Sequence, residues 1–420
     1  MNDSEKARYS QTLSSMIKIA TISNSDDKPT DNVKEFRAYV KNRFPNIAKN
    51  CETIDKFDGG IMIKWSGADS AKSPLALMSH FDVVKAEGEW KHTPFGGEIA
   101  DGKIYGRGAA DTKGSLCAFL EACEKLIASG FTPDSDVYML SSSREEIAGK
   151  DAKLMSEYFA KNGIKPALLI DEGGAVLDKP MSFINGQFAM IAMSERSGAT
   201  LTLDGKKENI EKFSKRASKT KFAKNAFPSE VEEMFRRMTP KMTSPMKQIF
   251  KHIGALKGLL CFALPKVSRE AGAMVAPSLT FKEEDGKQVC KVACTYYHGI
   301  ESILEKFEAL AEKYEVKATV SVLHIAPKPT DFNCGGMKLV ERTVVDVFEN
   351  TAPTPFIIFG GTDARHFAGI ADCVIRFAPL IMTNEIIGTV HKSNEYIFEN
   401  SIWKAVEFYE RLIKNFQKGI

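Results

Sequence analysis

Short apolar runs alternate with helical patterns along most of this chain, and that alternation restricts the folds open to it more than any other feature. Residues 61–65 (IMIKW), 75–79 (LALMS), 137–141 (VYMLS) and 166–170 (PALLI) read as strands. Between them, 114–129 sets Leu116, Phe119, Leu120, Cys123 and Ile127 at helical spacing, and 151–159 is again helical. Ser129, Gly130 and Pro133 end the first of these helices as Gly and Pro usually do. Strands alternating with helices predict an α/β fold with a mixed, mostly parallel sheet flanked by helices.

The pattern breaks in the middle. Residues 206–224 hold Lys206, Lys207, Lys212, Lys215, Arg216, Lys219, Lys221 and Lys224 against only Glu208 and Glu211. A solvated helix face is the simpler account of this run, with a patch for an acidic partner as the alternative. Next, 278–281 and 289–294 read as paired strands around an EEDG turn, followed by an amphipathic helix at 300–314 and a strand at 316–323. That is an α+β module. From 327 the first pattern resumes with a helix, a strand at 355–359 and a final helix at 401–416. The chain therefore divides into a discontinuous domain, 1–193 and 327–420, with an α+β module inserted at 194–326.

Charge is nearly balanced, with 57 Lys and Arg against 54 Asp and Glu, which argues against a nucleic-acid partner. The longest apolar stretch, 253–265, is interrupted by Lys257 and is too short to span a bilayer, so no membrane partner is expected. The N-terminus does not read as a signal peptide. Eight cysteines are scattered without a CxxC pair, which predicts neutral thiols in a reducing, cytoplasmic protein.

Groups that can bind metal gather at strand ends, where open α/β sheets place their ligand sites. His80 and Asp82 close one strand, two residues apart and so pointing the same way on an extended chain. The glycine-rich loop 106–114 delivers Asp111 just ahead of a helix. Glu145 and Glu146 follow another strand; being adjacent, they cannot both face one point. Asp171 ends a fourth strand, and His391 and Glu395 lie near the C-terminus. Each alone is weak, since a strand-end Asp is usually a turn residue. The 106–114 loop lacks both the Walker ending and the dinucleotide glycine spacing, which argues against phosphate binding. Together, two histidines and several carboxylates without cysteine fit a two-metal hydrolytic site with one free carboxylate as base.

The segments SHFDVV (79–84), Trp90 with Thr93-Pro94-Phe95, DGKIYGRGAADTKGS (101–115), SREEIAGK (143–150), LLIDEGG (168–174), FGGTDARHF (359–367) and VHKSNE (390–395) occur in one order and spacing. In this they resemble the zinc aminoacylase/carboxypeptidase family of di-metal hydrolases, which includes acetylornithine deacetylase, succinyl-diaminopimelate desuccinylase and carboxypeptidase S. The resemblance implies the fold of di-zinc exopeptidases with an inserted lid, through which family members dimerise. It implies two Zn2+ per chain, with Co2+ or Mn2+ as substitutes that accept the same ligands. His80, Asp111 and Asp171 would hold one ion; Asp111, Glu146 and His391 would hold the other. Asp82 would accept a hydrogen bond from His80 and fix its tautomer. Glu145 would be the general base. Arg365 would pair with a substrate carboxylate, with an ion pair to Asp363 as the structural alternative, and Gly360 and Gly361 would let backbone approach the substrate.

The lid departs from the family pattern. A Gly-His pair expected after its first strand is absent, Met274-Val-Ala-Pro277 lacks the expected Asn, and an arginine expected near Thr295-Tyr-Tyr-His298 is missing. His252, His298 and His324 are the histidines the lid does carry. The resemblance implies a metal-dependent hydrolase that cleaves the amide of a small N-acyl amino acid or dipeptide with a free carboxylate. A non-catalytic metal-binding scaffold on the same fold is the alternative.

Overall fold

The computed structural model describes residues 1–23, 29–147 and 150–419. Within these, the elements that carry the site are strands β1 (Ile61–Trp65), β2 (Leu75–Met78), β3 (Val137–Ser141), β4 (Leu168–Asp171) and β5 (Gln187–Asp204). Later in the chain come β6 (Ser278–Glu284), β7 (Lys287–Thr295), β8 (Lys317–His324), β9 (Thr351–Ile358) and β10 (Val374–Arg376). The first sheet region runs β1-β3-β2-β4-β10-β5, with β2 parallel to both β3 and β4, β10 parallel to β4, and β9 parallel to β5. Strands β2, β3 and β4 are buried along their whole lengths, as parallel strands covered on both faces must be. Helices α1 (Lys113–Ala128) and α2 (Glu399–Phe416) pack together over this sheet. Their apolar residues join Leu75, Leu77, Leu168 and Ile170 in one core. The opposite faces of the same strands, through Ala76, Met78, Leu169 and Leu140, cover a second core with Phe159, Ala364 and Phe367.

Strand β5 is the structural surprise. It runs unbroken across residue 193, where a domain boundary was expected from the sequence. Its first half pairs with β9; its second half pairs antiparallel with β7 and β8. The changeover is marked by a bulge, because Phe356 faces Ala192 while Ile357 faces Ser194, leaving Met193 as the extra residue. The α+β module, β6-β7-β5-β8 with helices at Lys207–Ala217 and Ile300–Glu312, has its own core around Phe213, Phe307 and Leu201. The helices between Ser229 and Ala273 do not join that core. Their Val231, Met234, Phe235, Leu260 and Leu264 pack instead on Phe188, Met190 and Ala192 of β5 and on Phe356 and Ile357 of β9. The segment 194–326 is thus split between the α+β module and the first sheet, because these Met- and Phe-rich helix faces find their apolar partner there.

Candidate metal centre

His80 is buried just beyond the end of β2. Its Nδ1 lies 2.9 Å from the carbonyl oxygen of Asp82, which sets the tautomer and leaves Nε2 facing Asp111 Oδ1 at 3.2 Å. The tautomer is therefore fixed mainly by the Asp82 backbone, with the carboxylate farther off at 3.4 Å. That carboxylate has a second task. It accepts the N–H groups of Glu145 and Glu146, each at 3.1 Å, and the hydroxyl of Ser23 at 2.5 Å. Asp82 thereby ties the histidine to the turn that carries the acidic pair. The 143–150 motif is described as far as Ile147; Ala148 and Gly149 lie outside the described residues.

Asp111 is delivered by a loop that needs its glycines. Gly106 and Gly108 have φ of +141° and +88°, and a β-carbon on Gly108 would sit 2.8 Å from Val83 Cγ1. The loop closes on Glu395, which is fully buried. One carboxylate oxygen accepts the N–H groups of Gly108, Ala110 and Asp111 at 3.1, 2.9 and 3.1 Å; the other accepts from Arg107 Nη1 at 2.6 Å. Arg107 in turn lies 5.3 Å from the centre of the Trp90 ring. Lys113, at the start of α1, is buried and donates to the carbonyls of Met16 and Ile19 at 3.0 and 2.7 Å; burial lowers its pKa to about 7.

Asp111 Oδ2 lies 3.0 Å from His391 Nε2, which also contacts Glu146 Oε2 at 3.1 Å. Asp111 therefore presents one oxygen to each histidine, as a bridging ligand does. His391 adopts φ +60°, a left-handed conformation that a non-glycine residue keeps when its surroundings impose it. The hydrogen bonds it donates to the Asp111 and Glu146 carboxylates lift its pKa to about 10. Desolvation works against a charged His80, yet the Asp111 and Asp82 carboxylates push its pKa well above the usual histidine value. Burial raises Glu145 well above the usual carboxylate range; His80 opposes this, and Asp363, Asp82 and Glu146 add to it.

Asp171, an expected ligand, is not in the group that His80, Asp111 and Glu146 form. Strand alternation places Asp171 on the same side of β4 as Leu169, over the core that holds Ala364, and its Oδ2 accepts the Ala364 N–H at 2.8 Å. The adjacent Glu172 feels the charges of the cluster: burial raises its pKa well above the usual carboxylate range, Asp111 adds to the rise and His80 opposes it.

Divalent cations suit this donor set. Ligand atoms of His80, Asp111 and Glu146 all lie within 4.8 Å of one another. The donors are imidazole nitrogens and carboxylate oxygens without a thiolate, the chemistry of zinc, manganese and cobalt sites. Residues 76–415 match the model of Peptidase family M20/M25/M40. The chain belongs to that family. It is 28% identical over 445 residues to the N-fatty-acyl-amino acid synthase/hydrolase PM20D1 of Xenopus tropicalis, covering 98% of this chain and 86% of that protein. A probable carboxypeptidase S-like 2 of Dictyostelium discoideum is 24% identical, covering 91% of this chain and 79% of that protein. Among solved structures, the M20 metallo-carboxypeptidase Sso-CP2 of Sulfolobus solfataricus superposes with a TM-score of 0.71 over 100% of both chains, at 18% identity. The di-peptidase Dug1p of Saccharomyces cerevisiae gives 0.70 at 14% identity, covering 99% of this chain and 97% of that one. This M20/M25/M40 chain is accordingly a metal-dependent hydrolase of amide bonds in N-acyl amino acids or dipeptides.

Gly361, one of the expected substrate-side glycines, lies where side chains of two elements meet. A β-carbon on Gly361 would lie 3.1 Å from His324 Nε2 and 3.3 Å from Arg365 Nη1, so two nitrogens converge on one point above the glycine. At Gly360 a β-carbon would meet nothing within 4 Å, so Gly361 is the position where the structure needs a glycine. Arg365 Nη1 donates to Thr362 O at 3.1 Å, while Asp363 accepts from Ser142 Oγ at 2.5 Å. His324 ends β8 in the lid, its Nε2 is buried without a hydrogen-bond partner, and burial with the charges of Arg365 and Arg376 holds its pKa down at about 4. Behind this corner, Glu195 of β5 accepts the Thr362 N–H at 2.8 Å and pairs with the buried Arg376 at 3.1 Å. The sequence showed His324 only as one of three lid histidines. His298 lies against Thr295 Oγ1 at 2.6 Å, and His252 is exposed at the junction of two helices.

Proposed function

We propose that the chain hydrolyses N-acyl amino acids, with long-chain acyl derivatives as the first candidates because its PM20D1-type relatives are named for N-fatty-acyl amino acids. Two cations, Zn2+ with Co2+ or Mn2+ as substitutes, would be held by His80, Asp111 and Glu172 on one side and by Asp111, Glu146 and His391 on the other. Bound there, they would polarise the scissile carbonyl and make a hydroxide-like nucleophile available near neutral pH. Glu145 takes the proton of the attacking water and delivers it to the amine nitrogen as the C–N bond breaks. The raised proton affinity that burial gives Glu145 suits a base that works near neutrality.

The substrate carboxylate is received above Gly361, where Arg365 supplies a permanent positive charge and neutral His324 supplies a hydrogen bond. Both nitrogens come from this chain, so the cradle is complete without a partner subunit. The convergence of these two groups on one point is the observation that carries the proposal. Glu145→Gln is expected to lower turnover of an N-acyl amino acid by about 100-fold or more, with the cation content unchanged. Wild-type turnover by that variant refutes the assignment of the base. Absence of turnover by the wild-type, cation-loaded protein across acyl amino acids and dipeptides refutes the activity.

A further inference from the structure

Two sequence features take no part in the metal centre: the basic run at 206–224 and the apolar stretch at 253–265. The structure brings them together on helix α3 (Ile253–Val267). Ile253, Leu260 and Leu264 face inward, on the core that covers Phe188 and Phe356. Ala255, Leu259, Phe262 and Lys266, spaced i, i+4, i+7 and i+11, form the opposite face and are open to solvent. Leu259 is 67% and Phe262 60% exposed. A helix that is apolar all round is ordinarily covered all round, yet this one is covered on one side.

Charge surrounds the open side. Residues 234–269 contain eight Lys and Arg and no Asp or Glu. Lys221, from the end of the basic run, lies 5.3 Å from the centre of the Phe262 ring, and Asn225 Nδ2 donates to Cys261 O at 2.6 Å, fixing that run alongside the helix. Lys224, Lys257 and Lys266 are exposed around it; Lys257 approaches Glu232 at 3.4 Å. No helix of the described residues is long and apolar enough to cross a membrane.

We propose that this face docks the protein on an anionic phospholipid surface. Leu259 and Phe262 enter the boundary between headgroups and acyl chains, and Lys221, Lys224, Lys257 and Lys266 meet the lipid phosphates with their stems lying along the apolar patch. Charge complementarity selects this occupant. A second copy meeting the same face would bring like charges together. The inference uses none of the proposed metal or substrate donors and stands whether or not the assigned substrate is correct.

The test is co-sedimentation of the full chain with vesicles of phosphatidylcholine alone or mixed with phosphatidylglycerol. The wild type is expected to bind only the mixed vesicles, and less as salt is raised. Phe262→Asp and Leu259→Asp should each lower the bound fraction about tenfold, with far-ultraviolet circular dichroism and hydrolysis of a soluble short-chain substrate unchanged. Replacing Lys221 and Lys266 by Glu should weaken binding in the same direction. The proposal is overturned if the wild type ignores the mixed vesicles, or if Phe262→Asp binds them as the wild type does. It is equally overturned if the wild type self-associates through this face, as a dimer that Phe262→Asp disperses.

Discussion

Glu395→Gln removes one charge from the centre of the Asp111 loop while keeping shape and length. In the wild type that carboxylate accepts three backbone N–H groups and the Arg107 guanidinium, and both side chains are essentially inaccessible. The amide oxygen of Gln can still accept the backbone N–H groups, but hydrogen bonds to a neutral acceptor contribute roughly half as much as charge-assisted ones. The larger effect falls on Arg107, which is left buried without a counter-ion; breaking a buried pair from one side typically costs about 3–5 kcal/mol. The Trp90 ring at 5.3 Å offsets that only in part, by at most about 2 kcal/mol. Urea denaturation of the cation-free protein should therefore show about 2–4 kcal/mol lost. Because the Asp111 N–H is among the released donors, cation affinity measured by calorimetry should fall about 10- to 100-fold. Arg107→Met in the same chain should recover part of the stability, since it removes the orphaned charge. Additive losses in the double variant, or an unchanged cation affinity in Glu395→Gln, would refute the reasoning.

Glu172→Gln should weaken cation binding strongly, Asp171→Asn should leave cation content intact, and Asp111→Ala should remove both ions; elemental analysis of the three separates the ligand set proposed here from one that uses Asp171. His324→Ala is expected to raise KM about tenfold or more, the effect of losing one hydrogen bond to a charged group, with a smaller change in kcat and partial recovery in His324→Gln. An unchanged KM removes His324 from the substrate cradle. His366, like His324, has its pKa held at about 4, burial being the first cause and Arg365 the next. The folded state thus refuses a proton that the unfolded chain accepts below about pH 6.5, so this stability is full above that pH and is lost as pH falls toward 4. His366→Gln should therefore lose less stability than the wild type on acidification, as read from urea midpoints, and equal slopes would count against it.

The alternation of strands and helices, and the gathering of His and acids at strand ends, was legible because both follow from local periodicity. The choice between Asp171 and Glu172 was also within reach of period-2 reasoning. Leu168 and Ile170 share one core, Leu169 lies in the other, and Asp171 must follow Leu169. The family motif drew attention to the acid and not to its parity. Glu395 stood in a quoted motif, but nothing local marks a carboxylate whose partners are 284 to 288 residues away. The helices between Ser229 and Ala273 were assigned by continuity to the lid. Their true partner, the face of β5 and β9, is set by packing between segments more than a hundred residues apart in the chain.

The proposed metal donors and the proposed substrate donors are anchored differently, and β5 explains why. His80, Asp111, Glu146 and Glu172 hang from the ends of β2 and β4 and from loops clamped by Asp82 and Glu395, all within one sheet and its helices. His324 belongs to β8, which that sheet reaches only through the second half of β5, beyond the bulge at Met193. Thr330 N–H closes the same junction by donating to Met193 O at 3.0 Å, so the strand entering the module and the segment that follows β8 out of it meet at one residue. Bulges bend a strand and leave one residue outside the ladder, and here that residue is Met193. Glu195 sits two residues beyond it, and through Thr362 and Arg376 it fixes the corner that carries Gly361 and Arg365.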